Sequence, residues 1–286
     1  MSETKRTVLI TGCSDGGMGA ALAAAFHKAG LHVYATARNP AKMEQLASMG
    51  IETLAMDVES EASITACVSK VPTLDILVNN AGAQFLMPVV DINIAEARKL
   101  YDLNVWAYVA VVQAFLPLLL KSKGMIVNQT SIGAVTTLPF QAVYNSSKAA
   151  MAMITDSMRL ELQPFGIKVI DLRTGIVKTN LIKNLQDVKQ PSLPEGSIYE
   201  PAKEVLENVM RQEGFETQGV ELIPWAEATV QALLKKNPSS VIWRGEQALL
   251  SRVTAIFPHG LFDAIIKKFT GLDDVEDVLK KYQKGK

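Results

Sequence analysis

Tyr144 and Lys148 are four residues apart in the sequence. Residues at this spacing lie on the same face of an α-helix, so the phenol and the ammonium group would point the same way. A lysine charge beside a tyrosine favours the phenolate and lowers the pKa of the phenol, which allows tyrosine to exchange a proton near neutral pH. The same spacing also occurs on solvated helices, so it does not define a site by itself.

Ser131 strengthens the catalytic interpretation of this pair. It directly follows Met125–Thr130, a segment that starts with an apolar run and has the features of a buried strand. A hydroxyl at the carboxyl end of a parallel strand lies where open α/β sheets bind their ligands. Ser131, Tyr144 and Lys148 are therefore candidates for one site.

A glycine-rich segment near the N-terminus predicts nucleotide binding. Thr7–Ile10 has the composition of a buried strand, Thr11–Gly19 contains four glycines within eight residues, and Ala20–Phe26 is an alanine-rich helix candidate. Glycines let the backbone approach a pyrophosphate, and the helix N-terminus offers free N–H groups to it. The alternative is an ordinary turn between a strand and a helix, where glycine is also common.

Together these residues resemble the short-chain dehydrogenase/reductase family over about residues 5–180. The family motifs occur in family order: Thr11-Gly12 with Gly17-Met18-Gly19, Asp57-Val58, Asn79-Asn80-Ala81-Gly82, Asn104, Ser131, Tyr144 with Lys148, and Gly175–Thr179. Within the family, the chain resembles fungal NADPH-dependent ketoreductases similar to acyl-dihydroxyacetone-phosphate reductase. That narrower resemblance rests on Thr11–Ser14, Ala35–Arg38 and Ile242–Gly245.

The resemblance implies a Rossmann fold, with one doubly wound parallel sheet of seven strands and helices on both faces. It also implies cofactor contacts from the glycine loop, from Asp57 and Val58 at the adenine, and from the segment after the fourth strand at the ribose. Val177 and Thr179 would meet the carboxamide. The complete predicted set is Gly12, Ser14, Asp15, Gly17, Met18, Gly19, Arg38, Asp57, Val58, Asn80, Ala81, Gly82, Tyr144, Lys148, Val177 and Thr179.

The residues after the second strand indicate which cofactor is bound. NAD-specific chains carry an acidic residue there for the ribose hydroxyls, but here no acidic residue occurs before Glu44. Arg38 instead offers a guanidinium fork suited to a 2′-phosphate. The alternative is that Arg38 caps a surface loop. We predict NADP(H).

By the same resemblance, each member of the catalytic set has a role. Ser131 would hold the substrate carbonyl oxygen, and Tyr144 would protonate it while the nicotinamide delivers hydride to the carbon. Lys148 would bind the nicotinamide ribose and lower the pKa of Tyr144. Asn104 would bend its helix and hold a water that relays protons to Lys148.

Two positions depart from the family pattern. The glycine loop holds one more residue than usual, so Gly17 and Gly19 align with the last two family glycines, which affects the geometry near Ser14 and Asp15. Thr174 stands where the family usually has proline before Gly175. Loss of proline removes a restraint on φ and predicts a softer turn.

Bulk properties predict one soluble, cytoplasmic enzyme domain. The chain has 286 residues with 29 basic and 29 acidic side chains, so no net field attracts nucleic acid. Its start runs straight into a strand without room for a signal peptide. Cys13 and Cys67 do not make a disulfide framework, and the three histidines have no metal-ligand spacing, so we predict no metal.

Strands and helices alternate along the chain, which implies a parallel sheet. The predicted strands are Thr7–Thr11, His32–Thr36, Glu52–Met56, Asp75–Asn79, Met125–Thr130, Lys168–Leu172 and Ser240–Ile242. The predicted helices are near 18–29, 40–49, 60–70, 93–121 and 142–164.

The segment Val105–Leu120 is apolar, but Gln113 and Pro117 interrupt it and it is short for a bilayer. A helix that is apolar all round is instead buried. By resemblance this helix packs in a dimer interface, in a homodimer or a homotetramer.

Two further segments concern the substrate. Residues 180–225 are predicted to form a lid with an apolar lining from Leu181, Ile182, Leu185, Leu193, Ile198 and Tyr199, although the same residues could cover the core. Residues 245–286 form an apolar tail that could cover the site, contact a partner or rest on a membrane surface, with core packing preferred. Its acidic run 273–277 predicts a solvated helix start.

These features predict an NADPH-dependent ketoreductase of an apolar, lipid-like or polyketide/terpenoid substrate. The first alternative is an NADP⁺-dependent alcohol dehydrogenase of steroid- or retinol-like substrates. The second is a non-redox nucleotide-binding protein that retains the fold.

Overall fold

One parallel sheet organises the chain. The structure, a computed structural model, describes residues 5–179, 191–212, 217–258 and 260–285. Its strands are β1 (Thr7–Thr11), β2 (His32–Ala37), β3 (Glu52–Ala55), β4 (Ile76–Asn79), β5 (Met125–Gln129), β6 (Lys168–Thr174) and β7 (Val241–Arg244). Their order is β3-β2-β1-β4-β5-β6-β7 and every pairing is parallel. The predicted doubly wound seven-stranded sheet is confirmed.

Helices flank the sheet on both faces. The α-helices are α1 (Met18–Lys28), α2 (Glu44–Ser48), α3 (Glu61–Val68), α4 (Ile94–Tyr101), α5 (Ala107–Ser122), α6 (Ala142–Leu162), α7 (Lys203–Met210), α8 (Leu222–Leu233), α9 (Ala248–Thr254), α10 (Asp263–Thr270) and α11 (Leu272–Lys284). Two predicted helices are divided. A 3₁₀ turn, Pro40–Met43, precedes α2, and a π-helical turn, Asp102–Trp106, separates α4 from α5.

Alternation along the strands assigns each apolar side chain to one face. Val8 and Ile10 of β1 belong to a first core formed with α1 and α8, whereas Leu9 belongs to a second core formed with α3 and α5. Because both faces are covered, the strands contain nearly continuous apolar runs.

Among the described residues, one helical segment, Ile94–Ser122, is long and apolar enough to span a membrane. Its Val111, Phe115 and Leu119 pack into the second core, as a core helix does. Trp106 and Leu120 of this segment are exposed in the single chain. The predicted packing of this helix in a dimer interface stays a prediction.

A third, smaller core joins the end of the chain to the segment before it. Leu206 and Met210 of α7 pack with Val275 of α11 and with Phe140. Asp273 and Asp274 lie in the first turn of α11, where they complement the helix dipole. The predicted helix start is therefore confirmed, but the run 273–277 is solvated only in part, because Val275 within it is buried.

Candidate active site

The site lies at the carboxyl edge of the sheet, where the strand order reverses between β1 and β4. Open α/β sheets bind ligands at this topological switch point. Ser131 lies two residues beyond β5, and Tyr144 and Lys148 lie in the first two turns of α6. The Ser131 hydroxyl is a hydrogen-bond partner of the Tyr144 phenol, and Lys148 Nζ is 5.9 Å from the Tyr144 ring centroid. The structure thus brings the three predicted residues together.

The pKa of Tyr144 is raised above its ordinary value of 10.0. Burial of the phenol is the main cause, and the hydrogen bond with Ser131 acts in the opposite direction. The prediction of a net lowering by Lys148 is therefore wrong. A phenolate in this buried position loses its hydration, and this cost outweighs the stabilisation by the Ser131 hydrogen bond.

Lys148 is buried among groups that sequence reasoning missed. Its Nζ donates to the backbone carbonyl of Gln129 at 3.0 Å and lies 5.5 Å from the centroid of the Tyr108 ring. The Tyr108 hydroxyl donates to the same carbonyl at 3.3 Å. Burial lowers the pKa of Lys148 to about 8, although the Asp171 charge raises it. The available signals were a polar Gln129 in an apolar strand and Tyr108 one helical turn after Asn104.

Asn104 lies within the π-helical turn between α4 and α5, at the position where the bend in this helix was predicted. Its Nδ2 donates to the Ala83 carbonyl at 3.0 Å and to Ser147 Oγ at 3.1 Å, while its Oδ1 accepts from the Ala83 N–H at 3.0 Å. Asn104 therefore ties the segment after β4 to α6, next to Lys148. The water relay stays a prediction.

The glycine loop between β1 and α1 fits a dinucleotide. Gly12 has φ +72°, and a Cβ there would lie 2.8 Å from Ala81 Cα. A Cβ at Gly19 would lie 2.5 Å from the Gly12 carbonyl oxygen. Helix α1 begins at Met18 after Gly17, with no side-chain cap and no acidic residue in its first turn. Its N–H groups and dipole can therefore serve a phosphate.

Hydrogen bonds fix the glycine loop, which holds one residue more than the family pattern. The Ser14 carbonyl accepts from the Gly17 N–H at 3.0 Å, and the Asp15 N–H donates to the Lys42 carbonyl at 2.8 Å. The Asp15 carboxylate accepts from the Gln45 N–H at 3.2 Å. The loop thus rests on the start of α2.

Asn80 braces the glycine loop. Its Nδ2 donates to the backbone carbonyls of Thr11, at 2.8 Å, and Gly12, at 3.1 Å. The N–H groups of Asn80 and Ala81 both donate to Thr11 Oγ1 at 2.9 Å. Next to them, a Cβ at Gly82 would lie 3.0 Å from Asn104 Oδ1. The predicted ribose contacts of this segment remain predictions.

Arg38 and Asp57 follow β2 and β3 at the same edge of the sheet. Arg38 is exposed, whereas Asp57 is half-buried and accepts from the Glu59 N–H at 3.1 Å. Val58 packs in the second core. The predicted cofactor contacts of Arg38, Asp57 and Val58 stay predictions.

The segment after β6 is held on both sides. Gln129 Nε2 donates to Thr174 Oγ1 at 2.7 Å, and β6 continues through Thr174. A Cβ at Gly175 would lie 1.9 Å from the Glu246 carbonyl oxygen, so only glycine fits there. The prediction of a softer turn at Thr174 stays a prediction. Val177 and Thr179 line the cavity described next.

A cavity of about 490 Å³ opens onto Ser131 and Tyr144. The chain's tail supplies a large part of its lining, including Leu250, Phe257, Phe262, Ile265, Ile266 and Phe269. The preferred prediction of core packing for this part of the tail is therefore wrong, because these residues cover the site. Leu250 and Ile265 are largely exposed.

The described part of the predicted lid lines the cavity, but through other residues than the ones predicted. Leu193 and Tyr199 pack in the third core, and Ile198 is exposed. Val209 and Gln212 line the cavity instead. Leu181, Ile182 and Leu185 lie outside the described residues.

The cysteines are structural. Cys13 is buried in the glycine loop and Cys67 in the second core. Burial raises the pKa of the Cys13 thiol to about 12 and that of Cys67 to about 11, so neither is a ready nucleophile. The described residues contain no cluster of side chains that could hold a metal.

Comparison with known proteins identifies the family. The short chain dehydrogenase family matches residues 6–190. A short-chain dehydrogenase/reductase of Pestalotiopsis microspora is 52% identical over 98% of this chain and 99% of its own length. The chain belongs to the short-chain dehydrogenase/reductase family, and the prediction of an oxidoreductase is confirmed.

Two further proteins are informative. The NADPH-dependent 1-acyldihydroxyacetone phosphate reductase of Schizosaccharomyces pombe is 34% identical, over 93% of this chain and 94% of its own length. A short-chain dehydrogenase from Streptomyces avermitilis has a similar structure, with a TM-score of 0.74 and 26% identity over 97% of this chain and 99% of that one. The NADP(H) prediction agrees with the first of these relatives.

Proposed function

We propose that the chain is an NADPH-dependent reductase that transfers hydride to the carbonyl carbon of an apolar ketone or aldehyde. The observation that carries this proposal is the position of Ser131 and Tyr144 on the wall of a largely apolar cavity. Two hydroxyls that point into such a cavity can bind one carbonyl oxygen while the apolar wall holds the remainder of the substrate.

NADP(H) is the cofactor in this proposal. The uncapped N-terminus of α1 and the glycines of the loop accommodate the pyrophosphate, and Arg38 at the end of β2 is suited to the 2′-phosphate. The Schizosaccharomyces pombe relative carries NADPH dependence in its name. When bound, NADPH supplies the hydride.

The side chains supply the proton and the orientation. Ser131 donates a hydrogen bond to the carbonyl oxygen and polarises the bond, and Tyr144 transfers its phenolic proton to that oxygen, which yields the alcohol. Burial raises the pKa of Tyr144 and keeps the phenol protonated at neutral pH, as a proton donor requires. Lys148 places a charge beside the phenol, and Asn104 holds the segment that carries it.

The reverse reaction, oxidation of an apolar alcohol with NADP⁺, uses the same atoms. A non-redox role leaves the assembled Ser131, Tyr144 and Lys148 without a purpose. The cytoplasmic location, the single domain and the homo-oligomer stay predictions.

Substitution of the proton donor tests the proposal. Tyr144→Phe keeps the ring and removes the proton, so turnover of apolar ketones should fall about 10²–10⁴-fold, while NADPH affinity stays within a few-fold. NADPH oxidation across a panel of apolar ketones and fluorescence titration of NADPH measure the two quantities. Tyr282→Phe on α11 is the matched control and should leave turnover unchanged. Near-normal turnover by Tyr144→Phe would assign the proton to another group.

A further inference from the structure

The only charged side chain among the described residues that line the cavity is acidic. Among the lining residues that the structure describes, no lysine or arginine is present, and one carboxylate, that of Asp263, is. The other polar side chains are amides and hydroxyls, such as Gln84, Gln141 and Gln247. The described lining residues can therefore form hydrogen bonds with a substrate, but none of them carries a positive charge.

Two basic side chains near the lining have other partners. Lys267, one helical turn from Asp263 on α10, pairs with Glu276 of α11 at 2.5 Å, also interacts electrostatically with Asp263, and does not line the cavity. Arg211, next to the lining residue Gln212, lies 3.6 Å from Glu207. Their charges are thus compensated by carboxylates.

This arrangement is unfavourable to a phosphate. A phosphate that leaves water needs charge-assisted hydrogen bonds from arginine, lysine or a helix N-terminus to replace its hydration. Beside these amides it would lose part of its hydration, and it would face the like charge of Asp263, which is exposed to solvent at the cavity wall. The substrate in the name of the Schizosaccharomyces pombe relative does carry a phosphate.

We infer that this cavity takes an uncharged apolar substrate and excludes its phosphorylated counterpart, and that Asp263 is a residue that determines this specificity. The inference rests on the proposed function, since it treats the cavity as the substrate site. A neutral hydroxyl at the polar end of the substrate can donate to Asp263, whereas a phosphate dianion cannot.

Two ligands that differ only in the phosphate test this directly. Calorimetric titration of the protein with 1-decanol and with decyl phosphate, in the presence of NADPH, measures binding without turnover, because neither ligand can accept a hydride. We expect decyl phosphate to bind at least about tenfold more weakly than decanol, the order of one charge-assisted contact. Asp263→Lys should reverse the preference. Asp273→Lys, with the same charge change on α11 outside the cavity lining, should leave the preference unchanged.

The outcomes distinguish the proposed charge selectivity of the cavity from the proposed reductase reaction. Equal or tighter binding of decyl phosphate by the unmodified protein, or an equal effect of the two lysine substitutions, would overturn the role of Asp263. Failure of both ligands to bind would overturn the cavity as an apolar site. If decanol binds and no ketone in the panel is reduced, the proposed reaction fails while the charge selectivity stands.

Discussion

Lys148 shows how burial of one residue changes its chemistry. Its pKa falls from 10.5 to about 8, so between these values the folded protein holds it neutral while the unfolded chain keeps it charged. The unfolded chain then binds more protons, and Lys148 makes the free energy of unfolding rise with pH.

This pH dependence is measurable. From pH 8 to about pH 9.5, the free energy of unfolding of the unmodified protein should rise by about 1–2 kcal/mol relative to that of Lys148→Met. Urea unfolding at both pH values gives the comparison. Parallel pH profiles for the two proteins would show that Lys148 keeps an ordinary pKa in the fold.

Arg38 is the residue on which cofactor choice depends. Arg38→Asp should weaken NADPH binding about 10- to 100-fold, because it removes a charge-assisted contact and adds repulsion to the 2′-phosphate. NADH binding should hold or improve, since the carboxylate can accept from the ribose hydroxyls. Fluorescence titration of both cofactors measures the effect, with Arg98→Asp on α4 as control. An equal loss for NADH and NADPH would show that Arg38 supports the fold and does not select the phosphate.

At the scale of elements, the glycine loop and the segment after β4 are built as one unit. Asn80 bonds to two loop carbonyls, and Thr11 Oγ1 accepts two N–H groups from the segment after β4. A change in the loop should therefore alter both the cofactor site and its support.

Gly19→Ala tests this coupling. A Cβ at this position meets the Gly12 carbonyl oxygen at 2.5 Å and Asn80 Nδ2 at 2.6 Å, so the loop must move. We expect a loss of about 1–3 kcal/mol in stability and a decrease in NADPH affinity of at least about tenfold.

Gly50→Ala provides the control for Gly19→Ala. Gly50 has φ +80° and nothing within 4 Å of its Cβ position, so this substitution adds only backbone strain. It should cost about 1–2 kcal/mol with no change in NADPH affinity, measured by thermal unfolding and titration. Unchanged NADPH affinity in Gly19→Ala would mean that the loop tolerates the Cβ.

At the scale of the whole molecule, the C-terminal tail completes the cavity beside the catalytic residues. Helix α11 packs in the third core and so holds α10, whose Ile266 faces the cavity. The family motifs end near residue 179, whereas a large part of the wall of the proposed substrate cavity comes from residues far beyond them.

A charge placed on this wall should affect the substrate and not the cofactor. Ile266→Arg should raise the KM for an apolar ketone at least about tenfold, because a charge on the half-buried cavity wall opposes an apolar ligand, with NADPH affinity unchanged. Leu249→Arg, on the exposed side of α9 and outside the cavity lining, should change neither quantity. Steady-state kinetics distinguish them. Identical KM values for Ile266→Arg and the unmodified protein would remove α10 from the substrate site.

Much of this protein could be predicted from the sequence because the relevant signals are local. Short apolar runs predicted all seven strands, and the glycine spacing predicted the turn from β1 to α1. The i, i+4 spacing of Tyr144 and Lys148 placed both side chains on one face of a helix that did form. These features depend on neighbouring residues and on backbone geometry, which the order of amino acids determines directly.

Other properties were decided only by the tertiary structure. The direction of the Tyr144 pKa shift depends on how much of the phenol is buried, and the pairing of Lys148 with the Gln129 carbonyl depends on contact between α6 and β5. The position of the tail was also decided by the tertiary structure, because its apolar residues were compatible with core packing, which was preferred, and with covering the site. Desolvation and cavity lining are set by elements distant in sequence, so no local pattern specifies them.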